Sequence, residues 1–381
     1  MYFKSISFIF LFFVNISFVK CQKISYKNIP QNRLASMQTK INSDRNSRTI
    51  VNTQGFYDLT NALPQNFDKT GTVDYTVFIQ KAILKNAKVI FPDFPILIND
   101  NGLKLISNST LYFPAKSVLK LSSSSKLGYQ ILNLTGISNV NIYFPVIEGD
   151  KYSHGGKGGE WGMGISIKAS NNILIYGGKV SKCWGDGLYV GALNDVPSKN
   201  VVIKNSIFDD NRRNGISIVS VVKCDVDNVV IANTFGAQPM AGLDIEPNDN
   251  IDAVTGININ DIYTFNNGTC GILFMLNRLK GKDLKDIDVS INNHIDESSV
   301  NGVGFSIASK TRAGTKFRGN ISIKNSKWIG NKNKGFYNYS TSIGNGLKFN
   351  LQSNQVIDNS KAVQKSKMSE YNVIRSKYLN N

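Results

Sequence analysis

Three short stretches bring acids and bases into a pattern suited to sugar chemistry. Gly242-Leu-Asp-Ile-Glu-Pro alternates Leu243 and Ile245 with Asp244 and Glu246. Residues two apart on a strand share a face, so the aliphatic pair points one way and the two carboxyls the other. Gly187-Leu-Tyr-Val and Gly215-Ile-Ser-Ile have the same form, with Tyr189 and Ser217 at the place of Asp244. Asp186 and Asn214 stand just before those glycines, and Asp209, Asp210, Arg212 and Arg213 lead into the second. Crowded carboxyls take different protonation states, which supplies an acid and a base together. Inverting and retaining glycosidases both use such a pair. A hydrolase would use Asp244 or Glu246 as acid and Asp186 or the other as base. A lyase would hold calcium on Asp186, Asp244 and Glu246, or neutralise a uronate with Arg212 or Arg213. Alternatively Arg212 or Arg213 would abstract the proton, with Tyr189 as another proton donor or base.

A second group precedes the first: Glu148-Gly-Asp150, His154 and Gly158-Gly-Glu160-Trp161-Gly. It is expected to fold beside the same groove, with Trp161 and Trp184 stacking on sugar rings or packing a turn against the barrel. Expected substrate contacts are His154, Glu160, Trp161, Trp184, Tyr189, Asp210, Arg212 and Asn214. The glycines from Gly155 to Gly164 match no phosphate-binding pattern.

What must position these residues is a repeat. A glycine followed by alternating apolar residues recurs at Gly164, Gly187, Gly215, Gly242, Gly271, Gly302 and Gly335, with spacings of 23, 28, 27, 29, 31 and 33. Between these runs a second series: Asn172-Ile-Leu-Ile, Asn200-Val-Val-Ile, Asn228-Val-Val-Ile, Gly256-Ile-Asn-Ile, Asp286-Ile-Asp-Val and Asn320-Ile-Ser-Ile. Two strand series locked to one period mark a solenoid. A coil near 28 residues is too long for a leucine-rich horseshoe and too short for a propeller blade. An all-β parallel β-helix is predicted, right-handed as such crossovers are. Its stacked coils put Ile165, Leu188, Ile216, Leu243, Ile272, Val303 and Phe336 in one inner column. Asp186, Asp244 and Glu246 then line one outer groove, about 10 Å long at the strand spacing.

The ends differ, as capping requires. Asp74 is expected to cap a helix with Phe78, Ile79, Ala82 and Ile83 on its buried face. Residues 1–21 read as a signal peptide, with Lys4 before an apolar run and Cys21 at the cleavage point, so a secreted protein is expected. Residues 22–55 read as a loose polar arm, 56–138 as N-terminal cap and first coils, 139–345 as the coils, and 346–381 as C-terminal cap and mobile basic tail. No later segment is long and apolar enough to span a bilayer. The formal net charge of +17 favours polyanions. With an export signal and no nucleic-acid motif, an acidic polysaccharide is the expected partner. Cys183, Cys224 and Cys270 read as buried fillers; no cofactor is predicted beyond calcium in the lyase case. The oligomeric state stays open.

The order helix, Val89-Ile-Phe-Pro, short strands and then long coils resembles the pectate-lyase superfamily. Asp58-Leu-Thr-Asn-Ala-Leu and Asp74-Tyr-Thr-Val-Phe-Ile-Gln-Lys-Ala-Ile look like the start of that family's cap. The resemblance covers roughly residues 56–345. It implies the fold, and leaves activity open among lyases, hydrolases, epimerases and adhesins. Of the hydrolase motifs only Asp209-Asp210 matches; the Asp-Pro-His of mannuronan epimerases and the Arg-x-Pro-x-x-Arg of pectate lyases are absent. The expected function is secreted cleavage of a polysaccharide by hydrolase or lyase chemistry. A non-catalytic glycan-binding protein and a uronate epimerase are the alternatives.

Overall fold

Alternation of apolar and polar residues drives each repeat into a strand, and stacking gives every strand a parallel neighbour. The computed structural model describes residues 24–47, 50–279, 284–307, 316–340, 346–357 and 371–372. The chain is a right-handed parallel β-helix of about nine turns. Among the described residues nine strands form its front sheet, including Trp161–Lys168, Leu188–Gly191, Ile216–Ile218, Leu243–Ile245, Cys270–Phe274 and Asn301–Phe305. The register is the one the glycine series predicts: Ile165 opposes Leu188, then Ile216, Leu243, Ile272, Val303 and Phe336. These side chains are buried in one continuous core. The repeat glycines allow close approach. A Cβ on Gly215 would lie 2.8 Å from the Gly242 carbonyl oxygen and 2.0 Å from Ile231 Cγ2, too close for any other residue.

The other two faces come from long strands that bend once: Ser198–Asp209, Val221–Ala232, Val254–Phe265 and Lys285–Glu297. Each bends at a residue with positive φ, namely Asn205, Asn228, Asp261 and Asn293. Asn and Asp tolerate this left-handed conformation better than other side chains. The second series of the sequence reading mixes two corners. Val201 pairs with Cys224, so Asn200 stands opposite Lys223, and Asn228 belongs to the Asn205 column. Strand Ile216–Ile218 passes into Val221–Ala232 almost without a loop, whereas residues 192–197 separate Leu188–Gly191 from Ser198–Asp209. Both corners favour the same residue type, so Asn alone does not tell them apart.

Helix α2 (Thr76–Lys85) covers the first coil with Thr76, Ile79, Ala82 and Ile83 buried, and Asp74 Oδ1 accepts from the Thr76 amide at 2.8 Å. Phe78, expected on the buried face, is exposed and meets Tyr75 edge-on. Residues 22–55, expected to be loose, instead contain helix α1 (Gln31–Ser47) docked on the bent sheet. Leu34, Met37 and Ile41 make a narrow apolar stripe that packs on Phe144, Tyr176, Ile207, Val230, Tyr263 and Phe265. Polar residues around that stripe hide it in the sequence, but they also hold it: Arg33 pairs with Glu297, Tyr176 donates to Asp44, and Tyr26 donates to Asp209 at 3.2 Å. At the far end Lys348–Gln352 and Gln355–Ile357 add another coil beyond the expected limit at 345. Tyr371, within the expected mobile tail, is buried against Trp328 and Phe336. The signal-peptide reading of residues 1–21 and most of the tail lie outside the described residues.

Candidate functional site

The front sheet carries the predicted acids on its outer side. Asp186 precedes the Leu188–Gly191 strand, Asn214 precedes the next, and Asp244 lies on the third opposite Ser217 and, beyond it, Tyr189. Stacking therefore brings Asp186, Arg213, Asn214, Ser217, Asp244 and Glu246 into one cluster. Arg213 is its centre. Its Nη1 donates to Asp186 at 3.1 and 3.2 Å, its Nη2 donates to Glu246 at 2.8 Å, and Glu160 lies 3.4 Å from its Nε. Asn214 fixes the layer below: its Nδ2 donates to Ser217 Oγ at 2.9 Å and to Asp244 Oδ2 at 3.2 Å. Its own amide donates to Asp186 Oδ1 at 3.1 Å. Arg278 stands at the rim, 3.6 Å from the second oxygen of Glu246.

These acids do not line the open groove expected from the register. Asp186 and Asp244 are 0% exposed and Glu246 is 5% exposed. The face that points away from the core is roofed by the Arg213 side chain and by Glu160. Burial follows from charge: three acids around one guanidinium close on it, which three solvated acids would not do.

Burial decides the electrostatics. It pushes the Asp244 carboxyl well above the usual carboxylate range, and the neighbouring Glu246 charge adds to this against the pull of Arg213. Burial also raises Asp186, with Arg213 opposing. For Arg213 burial acts downward, but Asp186, Glu246, Asp244 and Glu160 outweigh it and hold the guanidinium more firmly charged than usual. Arg213 is therefore no proton-abstracting base, contrary to one option of the sequence reading. Burial likewise pushes Tyr189 up to about 12, so it stays a phenol and not a base. Asp244 Oδ1 is buried without a hydrogen-bond partner among the described residues. Calcium on Asp186, Asp244 and Glu246 does not fit, because the Arg213 guanidinium bridges Asp186 and Glu246 where a cation would sit. No group of three or more His, Cys, Asp or Glu among the described residues is placed to hold a metal ion.

The remaining predicted residues fall into two separate groups. Trp184 is sandwiched: His154 stacks on one contact at 3.9 Å between centroids, and the Arg212 guanidinium lies 3.7 Å from its centroid. His154 Nδ1 meets Asp150 Oδ2 at 2.8 Å, both side chains fully buried. Arg212 Nη1 donates to the Gly159 and Trp184 carbonyls at 2.8 and 3.0 Å. Trp184, His154 and Arg212 are thus occupied with each other and are not free to hold a sugar. Asp210 faces elsewhere, accepting from Lys151 at 2.7 Å and Tyr152 at 2.8 Å. Trp161 alone of the predicted aromatic contacts is open, at 53% exposure. The three cysteines are free and buried, but Cys270 sits outside the barrel wall with Ala241 and Leu273 and not in its core.

Sequence reasoning missed an interior cluster. His294 and Asp296 point into the barrel, His294 in the column of Ser206, Val229 and Ile262 and Asp296 in that of Phe208, Ile231, Thr264 and Trp328. Thr264, His294 and Asp296, three polar residues at inward places of a mostly apolar ladder, are a signal that the alternation carried.

The family described as right handed beta helix region matches residues 94–251. An uncharacterized SPbeta prophage-derived protein, YorA of Bacillus subtilis (strain 168), is 28% identical over 165 residues, 38% of this chain and 28% of that protein. The matched part spans about a third or less of the curated relatives' length. Among solved structures, the family 28 exopolygalacturonase of Yersinia enterocolitica superposes with a TM-score of 0.56 at 14% identity, over 79% of this chain and 66% of that one. PfbA, a surface adhesin of Streptococcus pneumoniae, gives a TM-score of 0.51 at 12% identity, over 80% and 93%. At such identities the likeness is one of fold.

Proposed function

We propose, for a chain whose fold is that of the pectate-lyase superfamily, that it is an exported polysaccharide-cleaving enzyme using Asp244 as its proton donor. One observation carries this reading. Asp244 is a fully buried carboxyl whose pKa is pushed well above the usual range by burial and by the Glu246 charge beside it, and its Oδ1 has no hydrogen-bond partner among the described residues. A carboxylic acid held neutral in this way is suited to protonate a departing glycosidic oxygen. Glu246 and Asp186, both bound to Arg213, supply the negative charge that stabilises a developing cationic sugar or activates water. Substrate reaches Asp244 by displacing the Arg213 side chain from the outer layer. Hydrolysis is favoured over elimination because Arg213 and Tyr189 both hold their protons, so neither serves as the base that elimination needs.

The test is Asp244→Asn, assayed on the substrate found by screening a panel of acidic and neutral polysaccharides. We expect turnover to fall on the order of 10²–10⁴-fold with unfolding by urea unchanged. Full activity in a folded Asp244→Asn protein would remove the proposal. Ultraviolet absorbance of the product separates the mechanisms, since elimination leaves a new double bond and hydrolysis does not.

A second reading, a non-catalytic glycan-binding protein, is favoured by the complete burial of Asp186 and Asp244 and by the fold likeness to an adhesin. It predicts glycan binding with no product, and indifference of binding to Asp244→Asn.

A further inference from the structure

Three coil steps from Glu246 on the same outer face lies a cation with no counter-ion. Ser166 and Lys168 are two apart on the Trp161–Lys168 strand, and since Ile165 and Ile167 are in the core, both point outward. Lys168 is half-buried, yet it makes no ion pair with a described residue. By contrast Lys126, Lys151 and Lys182, around the same end of the sheet, hold carboxylates at 2.6, 2.7 and 3.0 Å. The Lys168 ammonium lies 5.3 Å from the centroid of the Tyr189 ring. Burial alone lowers its pKa, as expected for a cation that has lost water without gaining an anion.

Two further features build a site around it. Ser166 is 1% exposed, and its Oγ has no hydrogen-bond partner among the described residues. Tyr189 stands directly opposite Ser166 on the next strand, and Gly191 opposite Lys168. A Cβ on Gly191 would lie 2.5 Å from Tyr189 Cε1, so the ring lies over a position that must lack a side chain. A hydroxyl with no hydrogen bond and an ammonium with no anion among the described residues thus flank one aromatic ring on the wall that leads to the acid cluster. At about 4.8 Å per coil, Lys168 lies roughly 14 Å along the axis from Glu246, the reach of a short oligosaccharide.

We propose that Ser166, Lys168 and Tyr189 form a subsite for the anionic group, carboxylate or sulfate, of an acidic sugar in a glycan laid along the front sheet. This rests on the glycan reading above, and it narrows that reading to acidic chains. Lys168 gives a charge-assisted hydrogen bond, Ser166 a second donor, and Tyr189 an apolar face for the ring. The site recognises charge and takes no part in bond cleavage.

Equilibrium binding tests it apart from catalysis. The full chain and its Lys168→Met, Lys168→Arg and Ser166→Ala variants are titrated with an oligogalacturonate, a carrageenan oligosaccharide and a neutral xylo-oligosaccharide. Methionine keeps the apolar stem of lysine and so guards the fold. We expect the wild type to bind one acidic probe more tightly than the neutral one, the two acidic arms telling carboxylate from sulfate. Lys168→Met should weaken that acidic binding on the order of 10–100-fold, Lys168→Arg much less, and Ser166→Ala by a smaller factor. Added salt should erode the difference. Equal binding by wild type and Lys168→Met overturns the subsite, as does a wild type that binds neither acidic probe at millimolar concentration. Acidic binding that depends on Lys168 without any cleavage keeps the subsite and removes the enzyme reading; cleavage that ignores Lys168 does the reverse.

Discussion

Two acid clusters are buried in this molecule, and they solve the same electrostatic problem in opposite ways. On the front sheet, Asp186 and Glu246 share Arg213, and Asp244 is left with an oxygen that no described residue satisfies. Inside the barrel, Asp296 has no cation, but both its oxygens are filled: Thr264 and Ser299 donate to Oδ1 at 2.6 Å, and Asn331 donates to Oδ2 at 2.5 Å. His294 completes that network, meeting Thr264 Oγ1 through Nε2 at 2.7 Å and accepting from Trp328 Nε1 at 3.3 Å. A polar group that is fully paired in the interior is architecture. A polar group left short beside opposed charges, on the wall that faces outward, is where chemistry is cheapest to place. The difference lies in satisfaction and not in burial, which is complete at Asp244 and Asp296 alike.

The sharpest way to break this contrast is to remove the charge from one cluster. Arg213→Met strands Asp186 and Glu246 without a partner. Loss of one member of a buried ion pair costs about 3–5 kcal/mol, and urea unfolding at neutral pH should show a loss of that size. The cost should shrink at acidic pH as the stranded carboxyls take up protons. A change below 1 kcal/mol at neutral pH would mean that water already shares the cluster.

The next effect is a pH dependence of stability that the interior cluster hides from view. Burial raises Asp296 to about 7 and lowers His294 to about 3. For Asp296, raised above its ordinary value near 3.9, the stabilising contribution is full below that value and disappears as pH climbs toward 7. For His294, lowered from about 6.5, the contribution is full above that value and disappears as pH falls toward 3. Between about pH 4 and 6.5 the two slopes oppose, so this pair adds almost no slope of its own to the wild-type profile. Relative to the wild type, Asp296→Asn should add a rise in stability of about 1.4 kcal/mol per pH unit across that window, and His294→Gln a fall of like size. Urea midpoints measured at half-unit intervals check both signs; parallel profiles in all three proteins would refute the assignment.

How much of this was legible beforehand follows from which residues speak for themselves. The glycines at 187, 215, 242 and 271 gave the front-sheet register correctly, because a residue that must lack a Cβ is an unambiguous marker. Asn228 misled, because the two corners of the coil need the same left-handed backbone and Asn suits both. The cluster of Asp186, Arg213, Asn214, Asp244 and Glu246 was legible from register alone. Its closure around Arg213 was not, since side-chain rotamers and the roof formed by Glu160 depend on a loop distant in the chain. For Trp184 the sequence allows both stacking on a sugar and packing of a turn, and it does not decide between them, because pairing of His154 with Trp184 across turns leaves no periodic trace. The docking of α1 rests on Leu34, Met37 and Ile41 among polar neighbours, a stripe too thin to stand out until the aromatic face that receives it is known. His294 and Asp296 sit at inward places, and reading the ladder for exceptions as well as for rule would have found them.

The smallest expected effect sharpens the contrast most, because it asks whether the interior cluster touches function at all. Thr264 is the link of that network: its hydroxyl joins His294 to Asp296. Thr264→Val keeps the shape and removes the link. Two buried groups each lose one partner, but each retains another, His294 the indole of Trp328 and Asp296 the donors Ser299 and Asn331. The cost should therefore stay near that of ordinary buried hydrogen bonds, about 1–2 kcal/mol, read as a lower urea midpoint with an unchanged slope. Turnover and glycan affinity should not move, since Thr264 lies within the barrel and the acid cluster outside its front wall. If Thr264→Val instead alters the pH profile of turnover, the two clusters are coupled through Gly271. That residue's missing Cβ would meet both Thr264 Oγ1, at 2.3 Å, and Asp296 Oδ1, at 2.4 Å, and it stands on the front strand just beyond Asp244. Coupling of that kind would turn the interior network from a fastening of the coils into a support for the acid it was set against.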